Sequence, residues 1–235
     1  KLKSNMIEVK SVNSLVTYVD KTAEKNIVDR LAELLPEAGF IAEEGTSQKR
    51  GEVFDWIIDP LDGTTNYIHG IPVYSISIAL KKADELVLGV VYEINMEECF
   101  YAWKGSPAYM NDTIIKVTEN TKIADALLAT GFPYCDLREM ENYFKLFHDL
   151  ITNCRSLSRL GSAAVDLAYV ACGRFDAFYE YKLNPWDVAA GAFLVQQAGG
   201  KVSDFKGGTD YLFGEQILAS NQGIYEDIFK KVSQY

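Results

Sequence analysis

Residues 56–66 bring an apolar run, two carboxylates and a Gly-Thr-Thr turn together in one short segment. The carboxylates are those of Asp59 and Asp62, and the turn begins at Gly63. Hard divalent cations such as Mg²⁺ prefer oxygen ligands, and the free N–H groups at the start of a helix attract phosphate. This order of residues therefore predicts metal-assisted phosphate chemistry.

The spacing of the two aspartates has two interpretations. Pro60 fixes the backbone φ angle, so we expect a turn at the end of a strand over residues 53–58 that directs both carboxylates to one point. Two carboxylates this close repel each other unless a cation lies between them. In the alternative, Asp62 caps a helix that begins at Gly63. The pair alone favours neither interpretation.

Three more carboxylates stand at predicted element ends. Glu43 and Glu44 follow the apolar residues 40–42, and Asp187 falls in the first turn of a helix that starts at Pro185. Glu43 and Glu44 could form an exposed acidic loop, and Asp187 could complement the helix dipole. Each alternative is reasonable by itself. Because several such explanations would be needed at once, we favour convergence of these carboxylates on a metal.

Other phosphate chemistries lack their usual residues. Gly63, Thr64 and Thr65 suit a phosphate-binding helix start, although the same residues also form ordinary turns. His69 and His148 are the only histidines, and no Ser/His/Asp or Cys/His spacing indicates a nucleophile system. The sequence has neither an Asp-x-Asp-x-Thr run nor a glycine-rich nucleotide loop. The lack of these nucleophile patterns disfavours a mechanism with a covalent phospho-enzyme intermediate.

The composition limits the class of protein and its partners. With 235 residues, 48% of them hydrophobic, and a net charge of −10, the chain is typical of an acidic globular protein. The negative charge disfavours nucleic acid and anionic membranes as partners, and an anionic substrate would need bound cations. No apolar run approaches the ~20 residues of a membrane helix. Four cysteines without C-x-x-C spacing indicate free thiols and a cytoplasmic location.

Hydrophobic periodicity predicts strands mixed with helices, which favours layered α/β or α+β packing. We expect a helix capped by Asp20, one starting at Asn184-Pro185 and ending before Gly199, and a last helix capped by Asn221. The other predicted helices span residues 139–151 and 162–171. The predicted strands span residues 53–58, 73–81, 86–92, 99–103, 113–117 and 175–179, with a hairpin turn at residues 83–84.

Two long motifs now point to a family. Residues 59–66 resemble the first signature of the inositol monophosphatase family, and residues 186–191 resemble the second. The similarity also covers residues 15–20, 41–44, 105–111 and 161–164. It implies an α+β fold with a layered αβαβα sandwich of the sugar-phosphatase type. It also implies a single domain over residues 1–235, with halves at about 1–120 and 121–235, and an N-terminal helix of the family that is absent here.

The resemblance assigns roles to individual residues. Two to three Mg²⁺ ions would be held by a ligand set consisting of Glu43, Asp59, the Leu61 carbonyl, Asp62 and Asp187. Thr64, oriented by Asp20, would position the attacking water, and Glu43 would assist through a third ion. The substrate would be bound by Asp62, Gly63, Thr64, Ala163, Glu180 and Asp187.

The implied reaction is hydrolysis of a sugar or polyol phosphate, with inositol monophosphate as the expected substrate, by direct attack of a metal-activated water. The resemblance further implies lithium sensitivity and a homodimer. One alternative is a sister phosphatase for fructose 1,6-bisphosphate or a 3′-phosphoadenosine nucleotide, where Arg159 and Lys182 would supply cations, although a surface lysine is the favoured interpretation of Lys182. Another is a regulatory protein that kept the fold without turnover.

Overall fold

The computed structural model describes residues 7–11, 14–132 and 137–234. Its largest sheet has seven strands, which lie side by side in chain order. These strands are β3 (Gly39–Ala42), β4 (Phe54–Asp62), β5 (Ser75–Lys82), β6 (Glu85–Glu93), β7 (Glu98–Trp103), β8 (Ala108–Met110) and β9 (Thr113–Ile115). Only the β3–β4 pair is parallel, and the others are antiparallel.

A second sheet has five strands in the spatial order β11, β10, β12, β14, β13. Their bounds are β10 (Leu127–Thr130), β11 (Ser156–Ser158), β12 (Ala177–Tyr181), β13 (Lys201–Ser203) and β14 (Gln216–Ser220). The strands β10, β11 and β12 are parallel neighbours, whereas β14 runs antiparallel to β12 and β13. A short hairpin of β1 (Ile7–Ser11) and β2 (Ser14–Thr17) precedes both sheets.

The helices form three layers around the two sheets. Their bounds are α1 (Tyr18–Leu34), α2 (Thr64–His69), α3 (Leu137–Asn153), α4 (Ala163–Ala171), α5 (Pro185–Gln197) and α6 (Tyr225–Val232), with a 3-10 turn at Ile123–Asp125. The helix α1 packs on the outer face of the seven-stranded sheet, and α4 and α5 lie between the sheets. The helices α3 and α6 cover the far face of the five-stranded sheet. This order confirms the predicted αβαβα sandwich.

Strand β4 is buried on both faces, which explains its continuous apolar run. Trp56 and Ile58 belong to the core under α1, whereas Ile57 belongs to the central core beneath α4 and α5. Successive side chains of a strand point to opposite faces, so this alternation ties two layers to one strand. The strand ends at Asp62, four residues beyond the predicted limit.

Small residues let α4 and α5 approach closely. A Cβ placed on Gly191 of α5 would lie 2.4 Å from the Cβ of Leu167 on α4. The helix α5 starts at Pro185 and ends at Gln197, as the sequence predicts. Within the described ranges, no helix combines the length and the apolar character that crossing a lipid bilayer requires.

Two predicted helix caps are wrong. The helix α1 begins at Tyr18, so Asp20 lies inside its first turn instead of capping it. The last helix has Ile224 at its N-cap, and the Asn221 side chain instead accepts a hydrogen bond from the Ile224 N–H in the preceding turn, at 3.0 Å. In addition, the hydrophobic pattern does not predict β10, β11, β13 or β14, which form most of the five-stranded sheet.

Candidate active site

Three carboxylates converge where the end of β4 meets the start of α5. Asp59, Asp62 and Asp187 each offer an oxygen, and these oxygens lie within 4.8 Å of one another. Asp59 is almost fully buried, with 3% of its surface exposed. The two sequence motifs, more than a hundred residues apart, therefore meet at one point.

A bulge in β4 makes this convergence possible. Asp59 pairs with Ser77 of β5, but Asp62 pairs with Ser75, so β4 advances three residues while β5 advances two. In a regular strand, residues three apart point to opposite faces. The extra residue at the bulge returns Asp62 to the face of Asp59. Pro60 lies within this irregularity, which is where a strand tolerates proline. The predicted turn after Ile58 is thus a bulge within the strand.

Short-range hydrogen bonds connect Asp59, Leu61 and Thr64 to one another. The Leu61 N–H donates to Asp59 Oδ1 at 2.9 Å. The Thr64 hydroxyl lies 3.0 Å from both the Leu61 carbonyl oxygen and Asp20 Oδ1. Because a hydroxyl carries one proton, it donates to one of these acceptors at a time. Asp20 is fully buried in the first turn of α1, and this contact connects it to Thr64.

Gly63 begins α2 in the left-handed conformation, with φ of +94°. A Cβ there would lie 3.0 Å from the Val73 carbonyl oxygen, so both the conformation and the space favour glycine. Among the residues that the structure describes, no side chain caps α2 at this residue. Phosphate binding at this helix start stays a prediction.

Asp62 links the two halves of the chain. Its Oδ2 accepts hydrogen bonds from the Ser162 hydroxyl at 2.6 Å and from the Ala164 N–H at 2.7 Å. Asp62 therefore binds the N-terminus of α4 and does not cap α2, where Gly63 is the N-cap residue. This rules out the local cap proposed as the alternative.

Asp187 contributes both to the cap of α5 and to the carboxylate cluster. The Asn184 N–H donates to Asp187 Oδ2 at 2.6 Å, which is a helix-capping contact. The same side chain lies in the carboxylate cluster.

Glu43 lies at the edge of this cluster. Burial raises the pKa of both Asp59 and Asp187, and the nearby charge of Glu43 adds to each shift. The three-carboxylate group with oxygens within 4.8 Å does not include it. The Glu43 N–H donates to the Ile58 carbonyl at 3.2 Å, which attaches the end of β3 to β4.

Glu24, which is not among the predicted site residues, supports the loop after Glu43. Its two carboxylate oxygens accept hydrogen bonds from the N–H groups of Glu44 and Thr46, each at 2.7 Å. Glu24 is fully buried and lies one helical turn after Asp20 on α1. That spacing, which puts both carboxylates on one helix face, was the available signal.

The electrostatics of the cluster favour a bound cation. Burial, followed by the charges of Glu43, Asp62 and Asp187, raises the pKa of Asp59 well above its usual range. Burial also raises the pKa of Asp62 to about 6, although the hydrogen bonds from Ser162 and Ala164 oppose the shift. Carboxylate oxygens and the Leu61 carbonyl are hard ligands, so this donor set fits a divalent cation of the Mg²⁺ type.

A cavity of about 150 Å³ opens beside the cluster. Four of its lining residues were predicted site residues, namely Asp62, Ala163, Glu180 and Asp187. The others are Thr130, Gly131, Arg159, Gly161, Ser162, Asp166 and Leu183. The predicted residues Gly63 and Thr64 lie at the start of α2 and do not line it. Burial and the charge of Asp187 raise the pKa of Glu180 to about 8, while Arg159 opposes this shift.

The two candidate cations occupy different places. Arg159 is exposed and lines the cavity, and its charge acts on Asp62, Asp166 and Glu180. The Lys182 ammonium pairs with the Glu215 carboxylate at 2.7 Å and does not line the cavity. The favoured interpretation of Lys182 as a surface lysine is consistent with this placement.

Comparisons with known proteins cover nearly the whole chain. The model of the inositol monophosphatase family matches residues 1–235. A Nus factor SuhB from Pasteurella multocida is 39% identical over 225 residues, which are 95% of this chain and 84% of that protein. An inositol-1-monophosphatase from Mesorhizobium japonicum is 38% identical over 229 residues, which are 97% of this chain and 86% of that protein.

The solved structure of an IMPase from Thermotoga maritima has a TM-score of 0.88 to this chain at 36% identity. The match covers 97% of this chain and 87% of that one. Fold, motifs and relatives therefore agree: the chain belongs to the inositol monophosphatase family and is a phosphoric monoester hydrolase.

Proposed function

We propose that this protein hydrolyses a sugar or polyol monophosphate, with inositol monophosphate as its substrate, and that it requires Mg²⁺. The single observation that carries the proposal is the meeting of Asp59, Asp62 and Asp187 beside a small cavity. Asp59, Asp62, Asp187, the Leu61 carbonyl and Glu43 would hold two to three ions. When bound, such ions stabilise negative charge on phosphate and lower the pKa of water.

The chain's own groups would orient the reaction. The Thr64 hydroxyl, held near Asp20 and the Leu61 carbonyl, would fix the position of a water molecule and receive its hydrogen bond. The N–H groups of Gly63 and Thr64 would bind phosphate oxygens at the uncapped start of α2. Glu180 and the backbone at Ala163 would contact the alcohol part of the substrate in the cavity.

The charge of the cavity favours one phosphate per substrate. Four of its lining residues are acidic, Asp62, Asp166, Glu180 and Asp187, whereas Arg159 is its one basic lining residue in the described part of the chain. A second phosphate would meet like charges there. The small volume also suits a cyclitol or short polyol better than a nucleotide. Both features argue against the bisphosphate and phosphoadenosine alternatives.

The regulatory alternative has support only from names, since some relatives are called Nus factor SuhB. The complete carboxylate set argues for catalysis, because a site freed from turnover has no need to keep buried like charges together. Lithium inhibition, a homodimer and a cytoplasmic location remain predictions. The first two rest on the family, and the last rests on the sequence pattern of unpaired cysteines.

Phosphate release from a substrate panel tests the proposal. Purified protein is assayed with inositol monophosphate, fructose 1,6-bisphosphate and 3′-phosphoadenosine 5′-phosphate, with millimolar Mg²⁺ and with excess chelator. We expect the highest kcat/KM with inositol monophosphate and no activity in chelator. Preference for either bisphosphate would overturn the substrate assignment. Full activity in chelator would overturn the metal requirement, and no release from any substrate would leave the regulatory alternative.

A further inference from the structure

Asp166 is a buried carboxylate that the proposed roles above leave unused. Only 1% of its surface is exposed, and within the described ranges its Oδ1 has no hydrogen-bond partner. A buried polar atom without a partner costs about 1–3 kcal/mol. Such an atom in a folded protein therefore points to a missing ligand.

The position of Asp166 on α4 aims it at the candidate site. It follows Ala163 by three residues and Ser162 by four, so all three share one helix face. All three line the same cavity. The neighbouring residues Val165 and Leu167 are apolar and fully buried. Asp166 is thus the one acidic residue of α4, and it faces the cavity.

Among the described residues, the charged groups that act on Asp166 all line this cavity. Glu180 of β12 and Asp62 of β4 repel its charge, whereas Arg159 attracts it. The backbone N–H of Asp166 donates to the Ser162 carbonyl at 3.0 Å, which is an ordinary helical contact.

The free oxygen has chemistry that suits a hydroxyl. An ionised carboxylate only accepts hydrogen bonds, whereas a protonated one also donates. A hydroxyl both donates and accepts, so it can pair with Asp166 in either state. A second phosphate or another carboxylate would instead be repelled by the neighbouring acidic groups.

We propose that Asp166 binds a substrate hydroxyl remote from the phosphate, so that the cavity selects polyol and cyclitol phosphates over esters of simple alcohols. This inference rests on the proposed phosphatase function. It adds a specificity residue to the cavity, on an element different from Glu180. Because Asp166 has no place among the proposed metal ligands, its removal should change the choice of substrate and not the metal requirement.

The test compares two substrates in matched variants. Inositol monophosphate carries several hydroxyls, whereas p-nitrophenyl phosphate carries none on its alcohol part. For Asp166→Ala, we expect kcat/KM for inositol monophosphate to fall about 10- to 100-fold, mainly through KM, as expected for a lost hydrogen bond to a charged group. The rate with p-nitrophenyl phosphate should change little. Asp166→Asn keeps an acceptor oxygen and should retain part of the preference.

Val165→Ala is the matched control, since it shortens a fully buried neighbour that does not line the cavity. It should affect both substrates equally, if at all. Equal losses for both substrates in the two Asp166 variants would overturn the inference and indicate a structural role. Unchanged preference in folded Asp166→Asn and Asp166→Ala would overturn it as well. If the wild-type protein hydrolyses neither ester, the proposed function itself has failed, which is a distinguishable result.

Discussion

The acidic cluster and the adjacent cavity are built in different ways. The cluster takes Asp59 and Asp62 from one bulged strand, and short-range contacts with Leu61 and Thr64 support them. The cavity takes its lining from α4, from β12 and from the loop after β10, which are distant in the chain. Most of the metal end thus comes from one local segment, to which long-range packing adds Asp187 of α5, whereas the substrate end is formed mainly by long-range packing. Changes at the two ends should therefore have separable effects.

The largest effect is expected from Asp59→Asn, which removes a ligand charge from the metal end. Turnover should fall by roughly 10³-fold or more, since bound cations contribute several kcal/mol of transition-state stabilisation. Phosphate release at saturating Mg²⁺ measures the loss. Circular dichroism serves as the control for folding. Near-wild-type turnover in this variant would exclude Asp59 as an essential ligand.

Thr64→Val should reduce kcat by about 100-fold, because loss of an orienting group at the reacting water has effects of that order. The hydroxyl near Asp20 and the Leu61 carbonyl would be missing, but the shape of the side chain would be kept. Thr64→Ser keeps the hydroxyl and should restore most of kcat. If serine and valine behave alike, the hydroxyl has no role in the reaction.

At the substrate end, Gly131→Ala should raise KM about 10- to 100-fold, the range typical of one extra carbon in a specific pocket. The new Cβ would overlap the Glu180 carboxylate, and the side chain would have to move. Calorimetric Mn²⁺ binding should stay unchanged. Loss of Mn²⁺ affinity together with the rise in KM would show that the two ends are not separable.

Glu24→Gln should weaken metal binding, although Glu24 is not one of the proposed metal ligands. One of the two loop contacts would lose its charged acceptor, and outer-shell changes of this kind typically reduce metal affinity about tenfold or more. The Mg²⁺ concentration for half-maximal activity should rise, with kcat at saturation nearly kept. Glu33→Gln, on the exposed side of the same helix, is the control. Identical Mg²⁺ titrations for the two variants would show that Glu24 does not support the loop for metal binding.

The smallest effect concerns the stability of metal-free protein. The pKa of Asp62 is raised to about 6 and that of Glu180 to about 8, so the folded state binds more protons than the unfolded state. Stability is therefore greatest below the unfolded pKa values and falls as pH rises through about 8. In chelator, Tm should drop by about 2–4 °C per kcal/mol lost. Mg²⁺ should make Tm less dependent on pH. A Tm that rises with pH in chelator would contradict the account.

The same contrast explains what the sequence could predict. The metal end could be predicted because Asp59, Asp62, Gly63 and Thr64 lie in one segment with recognisable spacing. Even there, the residues predict a turn where the structure has a bulge, since the strand pairing that defines a bulge involves a second strand.

The substrate end could be predicted only in part. Ala163 and Glu180 came from the family resemblance, whereas Gly131 and Asp166 acquire their roles only when β10, β12 and α4 come together. The strands β10 and β14 are short, and all but the first residue of each is buried. Their sequences therefore lack the alternation of apolar and polar residues that reveals a strand. Glu24 was missed because its partners are backbone groups twenty or more residues away.

Anomalous scattering from crystals grown with Mn²⁺ tests the central claim most directly, because it locates the ion without any assumption about turnover. The account predicts anomalous density between the carboxylates of Asp59, Asp62 and Asp187, and loss of that density in Asp187→Asn. Absence of density there at saturating Mn²⁺, or density only at other surface carboxylates, would contradict it.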